Sequence, residues 1–240
     1  MGRAFEFRKA RKMKRWGKMA KTFSRIGKDI VMAIKEGGPE PESNARLRAV
    51  MQNAKAENMP KDIVDRAIKK AKDKDTSNYK EVIFEGRAPH GIAVLVECAT
   101  DNNNRTVANI RHCFSKRDGE LGTAGSVVFM FDRTCNFRIT NDGTDPEELE
   151  LDLIDYGAEE VFVDDDGIIV YAPFENFGSI QKYFEDNDKE ILSSGFERIP
   201  QSLMTLTAEQ KEDVDKLLEM IEEDDDTQNV YHNMDENAVA

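Results

Sequence analysis

The chain has 240 residues and a mass of 27.2 kDa; 39% of the residues are apolar and 34% are charged. This length suits two or three domains and excludes a single small module, and the apolar content is too high for a disordered chain. The longest apolar runs have about five residues, whereas a membrane-spanning helix needs about 20, and the basic N-terminus lacks the apolar stretch of a signal peptide. We therefore expect a cytoplasmic protein without a membrane partner.

Charge is distributed unevenly along the chain, whose formal net charge is -13. Residues 1–80 hold 22 Lys and Arg against 10 Asp and Glu, whereas residues 81–240 hold 12 against 37. Within residues 1–28, eleven cations accompany a single anion, Glu6. Such asymmetry indicates a basic region that binds a polyanion, while the acidic remainder keeps the protein in solution.

Helical periodicity dominates the first part of the chain. Apolar residues at helical spacing predict a helix from Lys21 that ends at Gly37-Gly38-Pro39. A second helix is predicted after Ser43-Asn44, and Pro60 suits the first turn of a third helix. A polar linker follows, so residues 1–78 are predicted to form a basic arm and an N-terminal helical domain.

After the linker, the apolar period changes from 3.6 to 2, and β-branched residues become frequent. Two strands, a helix over 103–116 and a third strand over 126–131 are predicted first. Residues 134–201 then have the order strand, helix, strand, strand, helix, strand, which is the ferredoxin-like βαββαβ pattern. A strand, a helix and a short strand follow in residues 202–234, and residues 235–240 are predicted to form a tail.

These elements predict an α+β fold in which an N-terminal helical bundle is followed by two α+β domains. The elements of residues 202–234 can complete the sheet that begins in residues 79–133. The ferredoxin-like domain at 134–201 would then be inserted into the first α+β domain, because both of its ends lie close together in that topology.

Four runs of the sequence together resemble one known family. They are PESNARLRAVMQNAKAENMPKDIVDRAIKKA at 41–71, ATDNNNRTVANIRHCFSK at 99–116, GSVVFMF at 125–131 and TQNVYHNMD at 227–235. With these runs in order, the chain resembles, over about its whole length, the YebC/PmpR family of probable transcriptional regulatory proteins. Mitochondrial relatives in that family are translational activators of cytochrome oxidase synthesis. The resemblance implies three domains, a helical bundle and two α+β domains, with the last inserted in the second.

The basic arm is the main candidate for a binding site. Its cations can neutralise phosphates with release of counterions, and Trp16 and Phe23 lie among them, so an aromatic ring could stack on a base.

A second candidate lies on the helix predicted over 103–116, where Arg105 and Lys116 share a polar face that could meet a phosphate backbone. The alternative for both regions is an ordinary solvated face. The predicted nucleic-acid-binding residues are Arg8, Lys9, Arg11, Lys12, Lys14, Arg15, Lys18, Lys21, Arg25, Lys28, Arg105 and Lys116.

The sequence gives little support for catalysis or for metal binding. The three histidines are far apart, and neither a G-x-S-x-G nor a P-loop motif occurs. The three cysteines contain no Cys-x-x-Cys pair and are expected to be reduced and buried. The acidic run at 159–167 does not fit an EF-hand at Phe162, and its Asp166-Gly167 predicts a hairpin turn. We therefore expect no catalytic residue, cofactor, metal or small-molecule substrate.

A non-enzymatic regulator of gene expression is therefore expected, and several targets remain open. The family name favours DNA and transcription. The mitochondrial relatives, and bacterial members linked to translation, favour a ribosome-associated factor that binds ribosomal RNA and relieves stalled peptide synthesis. The absence of a helix-turn-helix or zinc-finger signature agrees with this second target. A third alternative is a protein-interaction scaffold that uses the net charge of -14 over residues 135–200 as its docking surface.

Overall fold

The computed structural model describes the backbone of residues 3–72, 78–164 and 167–239, and the side chains of residues 19–72, 78–163 and 167–235. The chain divides into two compact units, Met1–Ser77 and Asn78–Ala240. The first unit is helical, and the second combines helices with two antiparallel four-stranded sheets. The predicted α+β fold class is thereby confirmed.

Three helices form the first unit: α1 (Arg3–Gly37), α2 (Ala45–Ala56) and α3 (Lys61–Lys72). The helix predicted from Lys21 begins much earlier, because the residues before it are rich in Ala, Lys, Arg and Met, which favour helix, and contain no proline. α1 packs against both shorter helices. It contributes to the core the residues Ile26, Ile30, Val31, Met32, Ala33 and Ile34.

A buried amide fixes the connection between α1 and α2. The Oδ1 of Asn44 accepts from the Leu47 N–H (3.0 Å), which caps α2, and its Nδ2 donates to the carbonyl oxygens of Ala33 and Gly38, each at 2.7 Å. A Cβ at Gly37 would lie 2.8 Å from this side chain, so the close approach requires glycine. The first unit therefore depends on side-chain contacts at this turn as well as on its apolar core.

The second unit begins with an antiparallel sheet of four strands. Their order is β3 (Glu120–Leu121), β1 (Lys80–Arg87), β2 (Ala93–Thr100) and β9 (Thr227–His232). Two helices, α4 (Asn103–Lys116) and α7 (Ala208–Glu222), pack on one face, where Phe114 and Leu217 are buried. The helix predicted over 103–116 is thus confirmed, and its apolar stripe faces this sheet.

The strand predicted over 126–131 is wrong. The chain forms a short 3₁₀ helix at Val128–Met130, and Gly125, with φ of 85°, turns the backbone just before it. Val127 and Phe131 are buried against the second face of the sheet. Val127 is therefore buried by packing under the sheet and not by strand pairing, and the short strand β3 pairs with β1 instead.

A second four-stranded sheet follows in the chain. Its elements are β4 (Phe131–Ile139), α5 (Pro146–Ile154), β5 (Glu160–Asp164), β6 (Gly167–Pro173), α6 (Phe177–Asp186) and β7 (Ile191–Pro200). The strand order is β5-β6-β4-β7 and each neighbouring pair is antiparallel, which is the ferredoxin-like arrangement. α5 and α6 pack on one face over a core that includes Phe137, Leu153 and Phe184. Residues 165–166 of the predicted hairpin turn lie outside the described residues.

The end of the chain contains a strand where a tail was predicted. β10 (Met234–Val239) pairs in parallel with β8 (Met204–Leu206), and Met234 is buried beside Leu206 in the core of the first sheet. This strand has a polar sequence, so alternation of apolar residues could not identify it, whereas backbone pairing needs no such alternation. The division of the second unit into residues 79–133 with 202–234 and residues 134–201 stays a prediction.

Candidate nucleic-acid interface

Most of the predicted binding residues lie on α1. The helical backbone extends through the whole basic arm, from Arg3 onward. Seven of the predicted side chains lie outside the described residues, namely those of Arg8, Lys9, Arg11, Lys12, Lys14, Arg15 and Lys18. For these seven residues the structure describes only the backbone, which is helical.

Lys21, Arg25 and Lys28 lie in the described part of α1. They are separated by four and three positions, the spacing that places residues on one face of a helix. The Lys21 side chain is exposed, and the other two are half-buried. The same spacing continues back through the sequence to Lys18, Lys14 and Arg11. We call these six residues the α1 basic row; a helix of that length places its ends about 25 Å apart.

α3 adds exposed cations that the sequence analysis did not single out. Lys61, Lys69 and Lys72 are exposed, while Val64 and Ala71 turn into the core. The signal that could have identified them is the run of lysines at the end of this helix, which follows the same logic as the basic arm. The first unit therefore carries exposed positive charge on two of its helices.

Two arginines in the first turn of α2 form hydrogen bonds within the first unit. The Nη1 of Arg46 donates to Glu36 Oε2 (2.6 Å). The Nη1 of Arg48 donates to the carbonyl oxygens of Pro41 (2.9 Å) and Glu42 (3.1 Å). These arginines hold the connection between α1 and α2, which distinguishes them from the exposed lysines of α3.

Arg105 has an internal role that its position on a polar face did not reveal. Its Nη2 donates to Asp226 Oδ2 (2.7 Å) and to Asp101 Oδ1 (3.1 Å). The hydrogen bond and charge of Asp226, followed by those of Asp101, raise the pKa of the guanidinium. Arg105 therefore joins the first turn of α4 to the segment between α7 and β9, and 48% of its side chain stays exposed. Its nucleic-acid-binding role stays a prediction.

Asp226 is the centre of this contact. Its side chain is only 6% exposed. Besides Arg105, its Oδ2 accepts from the hydroxyls of Thr106 (2.8 Å) and Thr100 (3.2 Å). A buried carboxylate needs such partners, because removal from water disfavours the charge. We call Asp226, Arg105, Thr100 and Thr106 the Asp226 cluster.

Lys116 differs from Arg105, although both lie on α4. Lys116 is exposed in the last turn of the helix. The two residues share a face but lie about 16 Å apart along the helix axis. Between them, the Nδ2 of Asn109 donates to Asp224 Oδ2 (2.8 Å). The polar face is therefore bound to the neighbouring segment at its start and open to solvent at its end.

A second buried carboxylate organises the loop before β4. Glu85 on β1 accepts from the N–H groups of Gly125 (2.6 Å), Val127 (2.8 Å) and Val128 (2.8 Å). Burial by itself raises the pKa of Glu85, but these backbone donors outweigh that effect, so its pKa is lowered. The loop positions the exposed ring of Phe129. No local pattern marks this arrangement, since the partners are about 40 residues apart.

A third polar cluster joins β2, β7 and β9. The Oε1 of Glu97 accepts from Arg198 Nε (3.1 Å), and its Oε2 accepts from Asn229 Nδ2 (3.3 Å) and from the Tyr231 hydroxyl (3.4 Å). Burial and then the charge of Glu97 raise the pKa of Tyr231. We call Glu97, Arg198, Asn229 and Tyr231 the Glu97 cluster. It connects the edges of the two four-stranded sheets.

In the described ranges, no group of three or more His, Cys, Asp or Glu residues could hold a metal ion. Cys98, Cys113 and Cys135 are buried as thiols, and burial raises the pKa of Cys135 to about 11.

Among the helices that the structure describes, none combines the length and the apolar content that a bilayer crossing requires.

Family models match nearly the whole chain. The model described as "TACO1/YebC protein N-terminal domain" matches residues 3–74, and the model described as "TACO1/YebC second and third domain" matches residues 79–234. The boundary between them falls where the chain divides into its two compact units.

Full-length relatives support the same assignment. A probable transcriptional regulatory protein of Flavobacterium johnsoniae is 71% identical, covering 98% of this chain and 100% of the relative. A protein of the same name from Parabacteroides distasonis is 56% identical, with 98% of each chain covered. The crystal structure of a conserved hypothetical protein from Aquifex aeolicus is similar with a TM-score of 0.75 and 36% identity, over 90% of each chain.

Proposed function

Because this chain belongs to the TACO1/YebC family, whose relatives include proteins named probable transcriptional regulatory proteins, we propose that it is a non-enzymatic regulator of gene expression that binds DNA. The proposed binding surface is the α1 basic row, and α3 carries further exposed lysines in the same unit. DNA is proposed first because the relatives are named for transcription.

The observation that carries this proposal is the density of positive charge on α1. The eleven cations in residues 1–28 are accompanied by a single anion and repel one another along one helix, and binding of a polyanion relieves this repulsion. Lys21, Arg25 and Lys28 share one helix face, which suits contact with successive phosphates of a backbone. Such contacts carry no sequence information, so we expect affinity with little preference for base sequence.

The three histidines lie at separate places in the second unit. His90 lies beside α7, with its Nε2 3.3 Å from Asp213 Oδ2, and His112 is exposed on α4. The Nδ1 of His232 accepts from the Met234 N–H (3.3 Å) at the end of β9. The three imidazoles therefore lie on separate elements, and the proposal assigns none of them a catalytic role.

The test is the salt dependence of binding to a DNA duplex. Each lost phosphate contact should reduce the slope of log affinity against log salt by about 0.9. We expect Lys14→Gln/Lys18→Gln/Lys21→Gln to lower both the affinity and this slope. Lys182→Gln/Lys189→Gln/Lys211→Gln is the matched control, because it removes the same charge from the second unit. Equal effects of the two triple variants would contradict a binding surface on α1.

A parallel titration with RNA tests the choice of polymer. We expect the DNA duplex to bind more tightly than ribosomal RNA fragments at the same salt concentration. Tighter binding of the RNA, together with nuclease-sensitive sedimentation of the protein with ribosomes, would overturn the DNA target and retain the basic row as a binding surface. Loss of slope in both titrations with the α1 variant would locate both polymers on the same helix.

A further inference from the structure

The second unit contains a long segment without a cation. Residues 139–181 carry thirteen Asp and Glu and not one Lys or Arg. The segment includes α5, β5 and β6 of the ferredoxin-like sheet. Carboxylates at this density repel phosphate backbones, so this part of the molecule is unsuited to nucleic acid.

The exposed side of α5 in this segment carries large aliphatic residues. Leu149 and Leu153 are buried, and Leu151, between them in the sequence, projects from the opposite side at 100° per residue. The Leu151 side chain is 68% exposed, and that of Ile154, one turn further on, is 57% exposed. A helix with one buried face ordinarily places polar residues here. Leu151 and Ile154 therefore form an apolar pair on the solvent side of α5.

Exposed carboxylates surround this apolar pair. At helical spacing, Glu147 and Glu148 lie one turn before Leu151, Glu150 lies one turn before Ile154, and Asp155 lies one turn after Leu151. α5 itself holds no Lys or Arg that could pair with them. We call the α5 face the set Glu147, Glu148, Glu150, Leu151, Ile154 and Asp155.

We propose that the α5 face docks a cationic segment of another protein, in which Lys or Arg flank at least one large apolar side chain. The carboxylates select the charge of this partner, and the apolar pair supplies contact area that a simple cation or a purely hydrophilic tail would not use. The interface would combine an apolar centre with a charged rim, which is the usual arrangement of protein interfaces. This surface is separate from the α1 basic row, and the proposal does not depend on the proposed DNA binding.

Binding of two synthetic peptides to the full chain tests the proposal. One peptide repeats Lys-Leu-Leu-Lys, and the other has Ser in place of each Leu, so the two have the same charge. By fluorescence anisotropy we expect the Leu peptide to bind at least about tenfold more tightly than the Ser peptide. Leu151→Ser/Ile154→Ser should remove this preference, whereas Leu203→Ser, at a residue with 57% exposure outside the α5 face, should retain it.

A charge variant separates the two parts of the interface. Glu147→Gln/Glu148→Gln/Glu150→Gln should lower the affinity for both peptides. High salt should likewise lower the affinity of the unsubstituted protein for both peptides. The substituted side chains are exposed, so an unchanged Tm is expected and confirms folding of each variant. The DNA affinity of all these variants should equal that of the unsubstituted chain, so failure of this proposal and failure of DNA binding give different results.

Three outcomes would overturn the proposal. The first is equal affinity of the unsubstituted chain for the two peptides. The second is a preference for the Leu peptide that persists in Leu151→Ser/Ile154→Ser. The third is self-association in sedimentation equilibrium that this double substitution abolishes, because the α5 face would then bind a second copy of the chain.

Discussion

The two units of this protein use charge in opposite ways. In the first unit, the lysines that the structure describes on α1 and α3 are largely exposed. In the second unit, the charges of Glu85, Asp226 and Glu97 lie at buried or half-buried positions and are held by several hydrogen bonds each. Exposed lysines of the first unit, such as Lys21 and Lys61, can therefore meet a partner. In the second unit, Glu85, Asp226 and Glu97 hold neighbouring elements together.

This difference shows why net charge along a sequence is an incomplete guide to binding. The excess of anions after residue 80 includes carboxylates with internal structural roles as well as the exposed ones of the α5 face. Arg105 illustrates the same point for a cation, because a buried carboxylate from a distant segment is its partner. Substitutions that remove one internal charge at a time should affect stability and leave DNA affinity unchanged.

The largest effect is expected at Asp226. Asp226→Ala removes the charged acceptor shared by Arg105, Thr100 and Thr106 and leaves space at a buried position, so we expect a loss of about 3 kcal/mol in the free energy of unfolding. Urea denaturation followed by circular dichroism measures this loss. DNA affinity, which we assign to the first unit, should be unchanged.

Asp101→Ala is the matched control for Asp226. It removes the other carboxylate that contacts Arg105, but Asp101 is exposed, so the loss should stay within about 0.5 kcal/mol. Equal losses for the two variants would contradict the central role of Asp226 in this cluster.

A smaller effect, with a distinctive pH dependence, is expected at Glu85. Glu85→Gln offers one oxygen where the carboxylate offers two and places an amide NH₂ against backbone donors, so we expect a loss of about 2 kcal/mol near neutral pH. Because the folded pKa of Glu85 is lowered, its stabilising contribution is complete above the unfolded value of about 4.3 and is lost as pH falls through the folded pKa.

The pH dependence of unfolding therefore checks the role of Glu85. The difference in free energy of unfolding between the unsubstituted protein and Glu85→Gln should shrink as pH falls below about 4.3. Glu120→Gln, at an exposed position on β3, is the control and should leave both the stability and its pH profile nearly unchanged. A difference for Glu85→Gln that stays constant with pH would show that the loss comes from packing and not from charge.

A coupling of about 1 kcal/mol is expected between Glu97 and Arg198. Their contact at 3.1 Å joins β2 to β7, and 26% and 10% of the two side chains are exposed. A double-mutant cycle with Glu97→Gln and Arg198→Gln measures this coupling through the free energy of unfolding. The pair Lys216 and Glu212 on α7 is more exposed and should couple by less than about 0.5 kcal/mol. Coupling no greater than that of the surface pair would contradict a structural role for the Glu97 cluster.

Local periodicity was sufficient to predict much of this fold. α4 and the order of elements in the ferredoxin-like sheet follow from apolar residues spaced by 3.6 or by 2, because each element buries one face. β10 and the 3₁₀ helix at 128–130 do not follow from such a pattern. The first is polar, and the second owes its shape to Glu85, which binds backbone groups that a strand would otherwise pair.

The sequence composition predicted where the candidate binding residues lie, but it could not predict the contacts that these side chains make within the protein. Counting cations locates the basic arm, and helical spacing groups Lys21, Arg25 and Lys28. The same spacing grouped Arg105 with Lys116, because it reports only which face of α4 they share. The partner of Arg105 comes from a residue 121 positions later in the chain, and no local signal encodes that contact. The binding roles of these residues stay predictions.

The smallest effect on stability, and the sharpest test of the comparison, is expected at Lys116. Lys116→Gln changes an exposed side chain, so the free energy of unfolding should change by less than about 0.5 kcal/mol. Arg105→Gln should cost roughly 1 kcal/mol, because it takes the charged partner from buried Asp226. If Lys116 contacts a phosphate of DNA, Lys116→Gln should also lower the salt slope of binding by about 0.9, whereas Arg105→Gln should leave that slope unchanged. A normal slope for Lys116→Gln would confine binding to the first unit, and a reduced slope for Arg105→Gln would mean that the exposed part of its guanidinium meets phosphate while Asp226 holds it in position.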